Sequence, residues 1–181
     1  MAEGPNPIGN TIGVVLAAGG SSRLGQPKQL LDINGQPMIT HVVDALAAVA
    51  GIDRIIVVLG AHAESIRSTL AGKDVVLVEN PRWAEGQSTS LHAALDALRG
   101  FPQPVHRLLI TLCDQPRIST QAFQHLVKAL DESTQSVAAS SYEGHLGAPC
   151  LFAILTPCDG STVIGARDNF SVTWPATKSS R

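Results

Sequence analysis

At 181 residues the chain has the length of one domain with a sizeable core, and a composition 44% hydrophobic and 15% charged excludes disorder. A formal net charge of −2, with no basic run, excludes a general affinity for nucleic acid, so any phosphate ligand must be held by a local site. Nothing approaches the roughly 18 consecutive apolar residues of a membrane span, and Cys113, Cys150 and Cys158 form neither a C-x-x-C pair nor a zinc spacing. With no secretory pattern in Met1–Asn10, this cysteine usage points to a reducing, cytoplasmic setting.

Residues 1–10 read as a loose leader, with two Pro and two Gly among polar residues. The apolar run Ile12–Leu16 reads as a buried strand, too short for a helix. Leu30–Met38 reads as a turn, with Pro37 suited to a first helical position. Ile39, Val42, Val43, Leu46 and Val49 fall at helical spacing and predict a helix from Met38 to Ala50, closed by Gly51. Arg54–Leu59 is a β-branched strand, His62–Ala71 a helix stopped by Gly72, and Val75–Val78 a strand. A loop over Asn80–Gln87 leads to a helix from Ser88 to about Leu98, and Gly100–Gln103 is a second loop. Leu108–Leu112 is apolar on both faces, as a central parallel strand should be. Ser119 caps a helix over Thr120–Leu130, and Ser136–Ser140 reads as a fifth strand. This alternation implies an α/β domain, a mostly parallel sheet covered by helices on both sides, with ligand beyond the carboxyl ends of its strands.

The segment from Leu16 to Lys28, LAAGGSSRLGQPK, follows the first strand. Small side chains let a ligand lie against the main chain and use its N–H groups as donors. Arg23 and Lys28 add two positive charges that an anion can bridge. The spacing excludes a Walker loop, because Gln26 and Pro27 rather than Lys follow Gly25. It also excludes the G-x-G-x-x-G dinucleotide fingerprint. What remains is a loop suited to a triphosphate, the alternative being an ordinary Gly-rich βα turn.

This stretch resembles the signature of the MobA-like nucleotidyltransferases that join a nucleotide to molybdopterin. It is closest to their cytidylyltransferase branch, with its Ala-Ala-Gly-x-Ser-Ser-Arg-x-Gly-x-Pro-Lys pattern. The resemblance covers about residues 12–153. It implies one Rossmann-like domain of the nucleotide-diphospho-sugar transferase type over residues 1–181. It also implies Mg²⁺-dependent transfer of CMP from CTP to molybdopterin with release of pyrophosphate, and a molybdoenzyme as recipient of the product. Carried over residue by residue, it assigns Leu16, Ala17, Ala18, Gly19, Gly20, Ser21 and Ser22 to the nucleotide, and Arg23 and Lys28 to its phosphates.

Asp114, in Leu112-Cys113-Asp114-Gln115-Pro116, stands at the tip of an apolar strand, where a carboxylate is placed to hold Mg²⁺. The resemblance assigns it the metal, whereas an Asp before a turn is the bland reading. Gly86, Ser88 and Ser90 match a Glu-Gly-x-x-x-Ser-Leu segment that contacts base and ribose in the family, and Ser88 reads equally as a helix cap. Tyr142–Pro149 resembles a Gly-x-x-Gly-x-Pro segment facing the acceptor, with Ala148 where relatives often carry His. The family's second acidic motif, Asp-x-Asp-Thr-Pro, is missing; residues 154–181 form an atypical, shortened or rearranged C-terminal part in which Asp159 and Asp168 have no supporting context. Two alternatives stay open: transfer to another phosphate acceptor such as a sugar phosphate, or nucleotide binding without turnover.

Overall fold

The structure is a computed structural model that describes residues 10–21, 25–142 and 145–155, and the backbone of 163–166 and 170–173. The leader over residues 1–9, Ser22, Arg23, Gly144, Asp159 and Asp168 lie outside the described residues.

The first strand, β1 (Thr11–Leu16), is buried along nearly its whole length. A short turn at Lys28–Leu30 and a two-strand ribbon, β2 (Asp32–Ile33) and β3 (Gln36–Pro37), lead to α1 (Met38–Ala47). Then come β4 (Ile52–Leu59), α2 (Ala63–Thr69), β5 (Val76–Glu79) and α3 (Gln87–Leu98). The chain continues through β6 (Arg107–Leu112), α4 (Thr120–Asp131), β7 (Val137–Tyr142), β8 (His145–Leu155), β9 (Val163–Ala166) and β10 (Phe170–Thr173).

The main sheet runs β10-β9-β8-β6-β1-β4-β5, with β7 also paired to β8. Its centre is parallel: β1 lies between β4 and β6, and β5 pairs in parallel with β4. Each of these strands is apolar on both sides, because helices cover both faces. Val15, Val57, Leu59 and Leu109 pack with α1, α2 and α4 in one core that includes Phe123, Leu126 and Ile66. Ile12, Val14, Ile56, Val58, Leu108 and Ile110 face the other way and pack with Ala94 and Leu98 of α3 and with Phe101. The result is three layers, as the alternation of elements predicts.

The alternation stops after α4. β8 runs antiparallel to β6 and to β7, so one side of the sheet is antiparallel. The Tyr142–Pro149 segment belongs to this hairpin apart from the two residues outside the description; Gly147 and Pro149 signal a break locally, but pairing with β7 and β6 overrides them. The atypical C-terminal part contributes β9 and β10, which extend the sheet beyond β8. Helix ends also shift. α1 stops at Ala47 rather than Ala50, and Pro37 precedes its first residue rather than occupying it. Ser119 caps α4 as expected, its hydroxyl accepting from the Ala122 N–H at 3.3 Å.

Candidate active site

Going outward from β1, the chain passes in one direction to β4 and β5 and in the other to β6. The connections leaving the ends of β1 and β6 therefore diverge, and a crevice opens between them at the carboxyl edge of the sheet. The two strand ends are stapled there by the Cys113 N–H, which donates to the Leu16 carbonyl at 3.1 Å. A cavity of about 250 Å³ occupies this point.

Leu16, Ala17, Ala18, Gly19, Ser21 and Lys28 line it from the first loop, and Leu112, Cys113 and Asp114 from the end of β6. Gln87 and Ser90 line it from the start of α3, with Gln29 and Trp83. Lys28 and Asp114 thus face one space, and neither side chain has a salt bridge or hydrogen bond among the described residues. A cation and a carboxylate left unpaired at the mouth of a cavity are available to a ligand carrying phosphates and a metal ion.

The loop is held by side chains that local sequence does not single out. Gln29 is 4% exposed, and its Nε2 donates to the carbonyls of Ala17 and Gly19, both at 2.8 Å. The Ala18 carbonyl accepts from the Ala61 N–H at 3.2 Å, and the Gly20 carbonyl from Nε2 of His62 at 3.2 Å. Trp83, distant in sequence, packs its indole against the loop at Gly20. A Cβ on Gly20 would sit 2.8 Å from its Cζ3, and one on Gly60 would sit 2.7 Å from its Cβ and 2.4 Å from the Ala18 carbonyl. Glycine at both positions is what lets the indole and the loop close together.

The start of α3 differs from the reading that made Ser88 its cap. The cap position is Gly86, with φ 124° and ψ 167°, which glycine reaches without strain, and its carbonyl accepts from Thr89 Oγ1 at 2.8 Å. Ser88 is exposed and, like Gly86, is not among the cavity-lining residues, whereas Ser90 is buried and lines it. Ser90 is placed by buried Asn80, whose Nδ2 donates to Thr89 Oγ1 at 2.8 Å and to Ser90 Oγ at 3.0 Å. Gly20 packs beneath Trp83 without lining the cavity.

Burial, and secondarily the neighbouring Asp114 charge, pushes the Cys113 thiol up to about 12. It is a neutral wall of the cavity at physiological pH, not a nucleophile. Among the described residues no group of three or more His, Cys, Asp and Glu comes together as a metal cage. One carboxylate nevertheless suits Mg²⁺, which is commonly bound by one or two carboxylates and completed by substrate phosphates and water.

Comparison with known proteins follows the same lines. A family model described as the MobA-like NTP transferase domain matches residues 13–160. The bifunctional protein GlmU of Heliobacterium modesticaldum is 33% identical over 122 residues, which is 66% of this chain but 25% of that protein, so the chain spans about a quarter of that relative. Nicotine blue oxidoreductase of Paenarthrobacter nicotinovorans is 32% identical over 160 residues, covering 84% of this chain and 76% of its own length. Rv0371c of Mycobacterium tuberculosis H37Rv aligns with TM-score 0.66 and 30% identity over 80% of this chain and 71% of its own; a manganese complex of that protein aligns at TM-score 0.60. Mth528, a nucleotidyl transferase from Methanothermobacter, aligns with TM-score 0.67 and 28% identity over 80% of this chain and 72% of its own. The chain belongs to the MobA-like NTP transferase family.

Proposed function

We propose that this enzyme transfers CMP from CTP to molybdopterin. The reading is carried by one observation: the side chains of Lys28 and Asp114, both without a polar partner among the described residues, face the same cavity across a floor of small residues at the point where the sheet's connections diverge. An oxygen of the acceptor's terminal phosphate attacks the α-phosphorus of CTP in line. The bond from that phosphorus to the bridging oxygen breaks, and pyrophosphate leaves with the electron pair. No covalent enzyme intermediate is required. Catalysis rests on positioning and charge neutralisation, as in phosphoryl transfer generally.

Lys28 holds the triphosphate and offsets charge on the leaving pyrophosphate, with Arg23 as its partner by resemblance. Main-chain groups of Leu16–Ser22, together with Ser90, receive the nucleoside, and Gly86 and Ser88 shape the approach. Asp114 is the residue to hold Mg²⁺, which when bound supplies charge neutralisation between phosphate oxygens. Support for a divalent ion comes from the single-carboxylate donor set and from the relative crystallised with manganese. The setting is cytoplasmic, with a molybdoenzyme as recipient of the product.

A second reading keeps the transfer and changes the acceptor to a sugar phosphate or an alcohol phosphate. It is favoured by the relatives reported above, none of whose names specifies a pterin. Pyrophosphate release is measured with Mg²⁺, each of the four nucleoside triphosphates, and either molybdopterin or a panel of sugar phosphates. Release that needs both CTP and molybdopterin is the expected result. Release with a sugar phosphate alone favours the second reading, and CTP binding without release under any condition leaves a nucleotide-binding protein.

A further inference from the structure

We infer that Gln29 is a positioning residue that sets the hydrogen-bonding polarity of the nucleotide loop, and through it the choice of base. The inference rests on the nucleotide reading above. A Gly-rich loop offers a ligand both carbonyls and N–H groups, and a loop able to present either selects poorly between bases. Here the carbonyls are taken. Gln29 spends both amide hydrogens on Ala17 and Gly19, and Ala61 and His62 occupy the carbonyls of Ala18 and Gly20. The N–H groups of Ala18 and Gly19 have no partner among the described residues, and both residues line the cavity. From Ala17 to Gly20 the main chain therefore has every carbonyl engaged and keeps the Ala18 and Gly19 donors for a ligand.

Gln29 suits this task because it is a buried amide, not a surface side chain that happens to reach. At 4% exposure it has no water to fall back on, so loss of either bond leaves a polar group unsatisfied. Its Oε1 also accepts from Ser21 Oγ at 3.4 Å, and that hydroxyl accepts from the Lys28 N–H at 2.9 Å. One side chain thus joins the base end of the loop to its phosphate end. Consecutive donors complement a base edge carrying two adjacent acceptors. Among the four common bases only cytosine, through O2 and N3, presents that pair on its pairing edge.

The test uses the full chain with Gln29→Met, which frees the carbonyls at nearly constant volume, and Gln29→Glu, which sets a carboxylate against them. Equilibrium binding and steady-state kinetics with CTP, UTP, GTP and ATP in Mg²⁺ give the ratio of CTP to its competitors. The expected result is a KM for CTP raised roughly tenfold, kcat changed much less, and a CTP preference reduced by a similar factor, in line with loss of one or two neutral hydrogen bonds. A purely structural role would lower the melting temperature and leave the preference intact, and that outcome overturns the inference while the transferase reading stands. If neither variant folds, 3-deazacytidine triphosphate on the wild-type chain decides. It lacks the N3 acceptor and should bind several-fold more weakly than CTP; equal binding overturns the inference. A wild-type chain that binds none of the four nucleotides overturns both readings.

Discussion

The main-chain N–H of Lys28 donates to the hydroxyl of Ser21 at 2.9 Å, tying the residue that carries the loop's charge to the residue that turns it. Ser21 holds φ 49°, a left-handed conformation uncommon for a side-chain-bearing residue. The hydroxyl is what anchors it there. Ser21→Ala should raise KM for the nucleotide several-fold while changing stability by about 1 kcal/mol, the usual net worth of one such bond. Steady-state kinetics beside a thermal melt check both halves.

Removing either charge at the cavity mouth should act on turnover far more than on folding. Lys28→Ala and Asp114→Ala are each expected to lower kcat/KM on the order of 100-fold or more, the range found when a preorganised electrostatic contributor is lost. Neither side chain has a polar partner among the described residues, so melting temperatures should stay close to wild type. Chelation of the divalent ion should abolish pyrophosphate release. Turnover of either variant within a few-fold of wild type would defeat the assignment.

Gly60 is the tightest point beneath the loop. Its missing Cβ would stand 2.4 Å from the Ala18 carbonyl and 2.7 Å from the Trp83 Cβ. Gly60→Ala must therefore push the loop or the indole outward. The expected loss is about 1–3 kcal/mol of stability, as for overpacking generally, with a parallel weakening of nucleotide binding. Denaturant unfolding and isothermal titration would measure the pair.

Cys113 makes an alkaline prediction with a definite sign. Its thiol is pushed to about 12 in the fold against an ordinary value of 9.0, because burial disfavours the thiolate. Above pH 9 the unfolded chain loses this proton and the native chain keeps it, so stability falls as pH rises from 9 toward 12. The contribution approaches about 1.4 kcal/mol per pH unit in that window and vanishes below it. Comparing Cys113→Ala with wild type at pH 8 and pH 10.5 isolates it, and the variant should lose less stability between the two.

Much of the parallel half was legible because each of its strands is covered on both faces and so reads as an unbroken apolar run, as in Ile12–Leu16 and Leu108–Leu112. Of the β7–β8 hairpin, β7 was legible as the strand Ser136–Ser140, but β8 was not. It carries Gly147 and Pro149, and its pairing with β6 is set by residues some 40 positions away in the chain, by the register Ile110↔Cys150. The site divides in the same way. Lys28, Asp114 and Ser90 announce themselves through charge and loop position, and they line one cavity. Gln29 and Trp83 do not, because their roles depend on which main-chain atoms the fold brings beneath them. Gly86 and Ser88 were legible as a helix start, but the turn of α3 puts Ser90, not Ser88, on the cavity wall.

Trp83, 37% exposed, forms part of the wall of this crevice. A nucleotide arriving there changes the surroundings of an indole, so occupancy has an optical signature requiring no label. With Trp174, the only other tryptophan, replaced by Phe, the emission would come from Trp83 alone. Titrating its intensity and wavelength against each nucleotide would then rank affinities without any acceptor in the cuvette, separating ligand capture from chemistry in a single instrument.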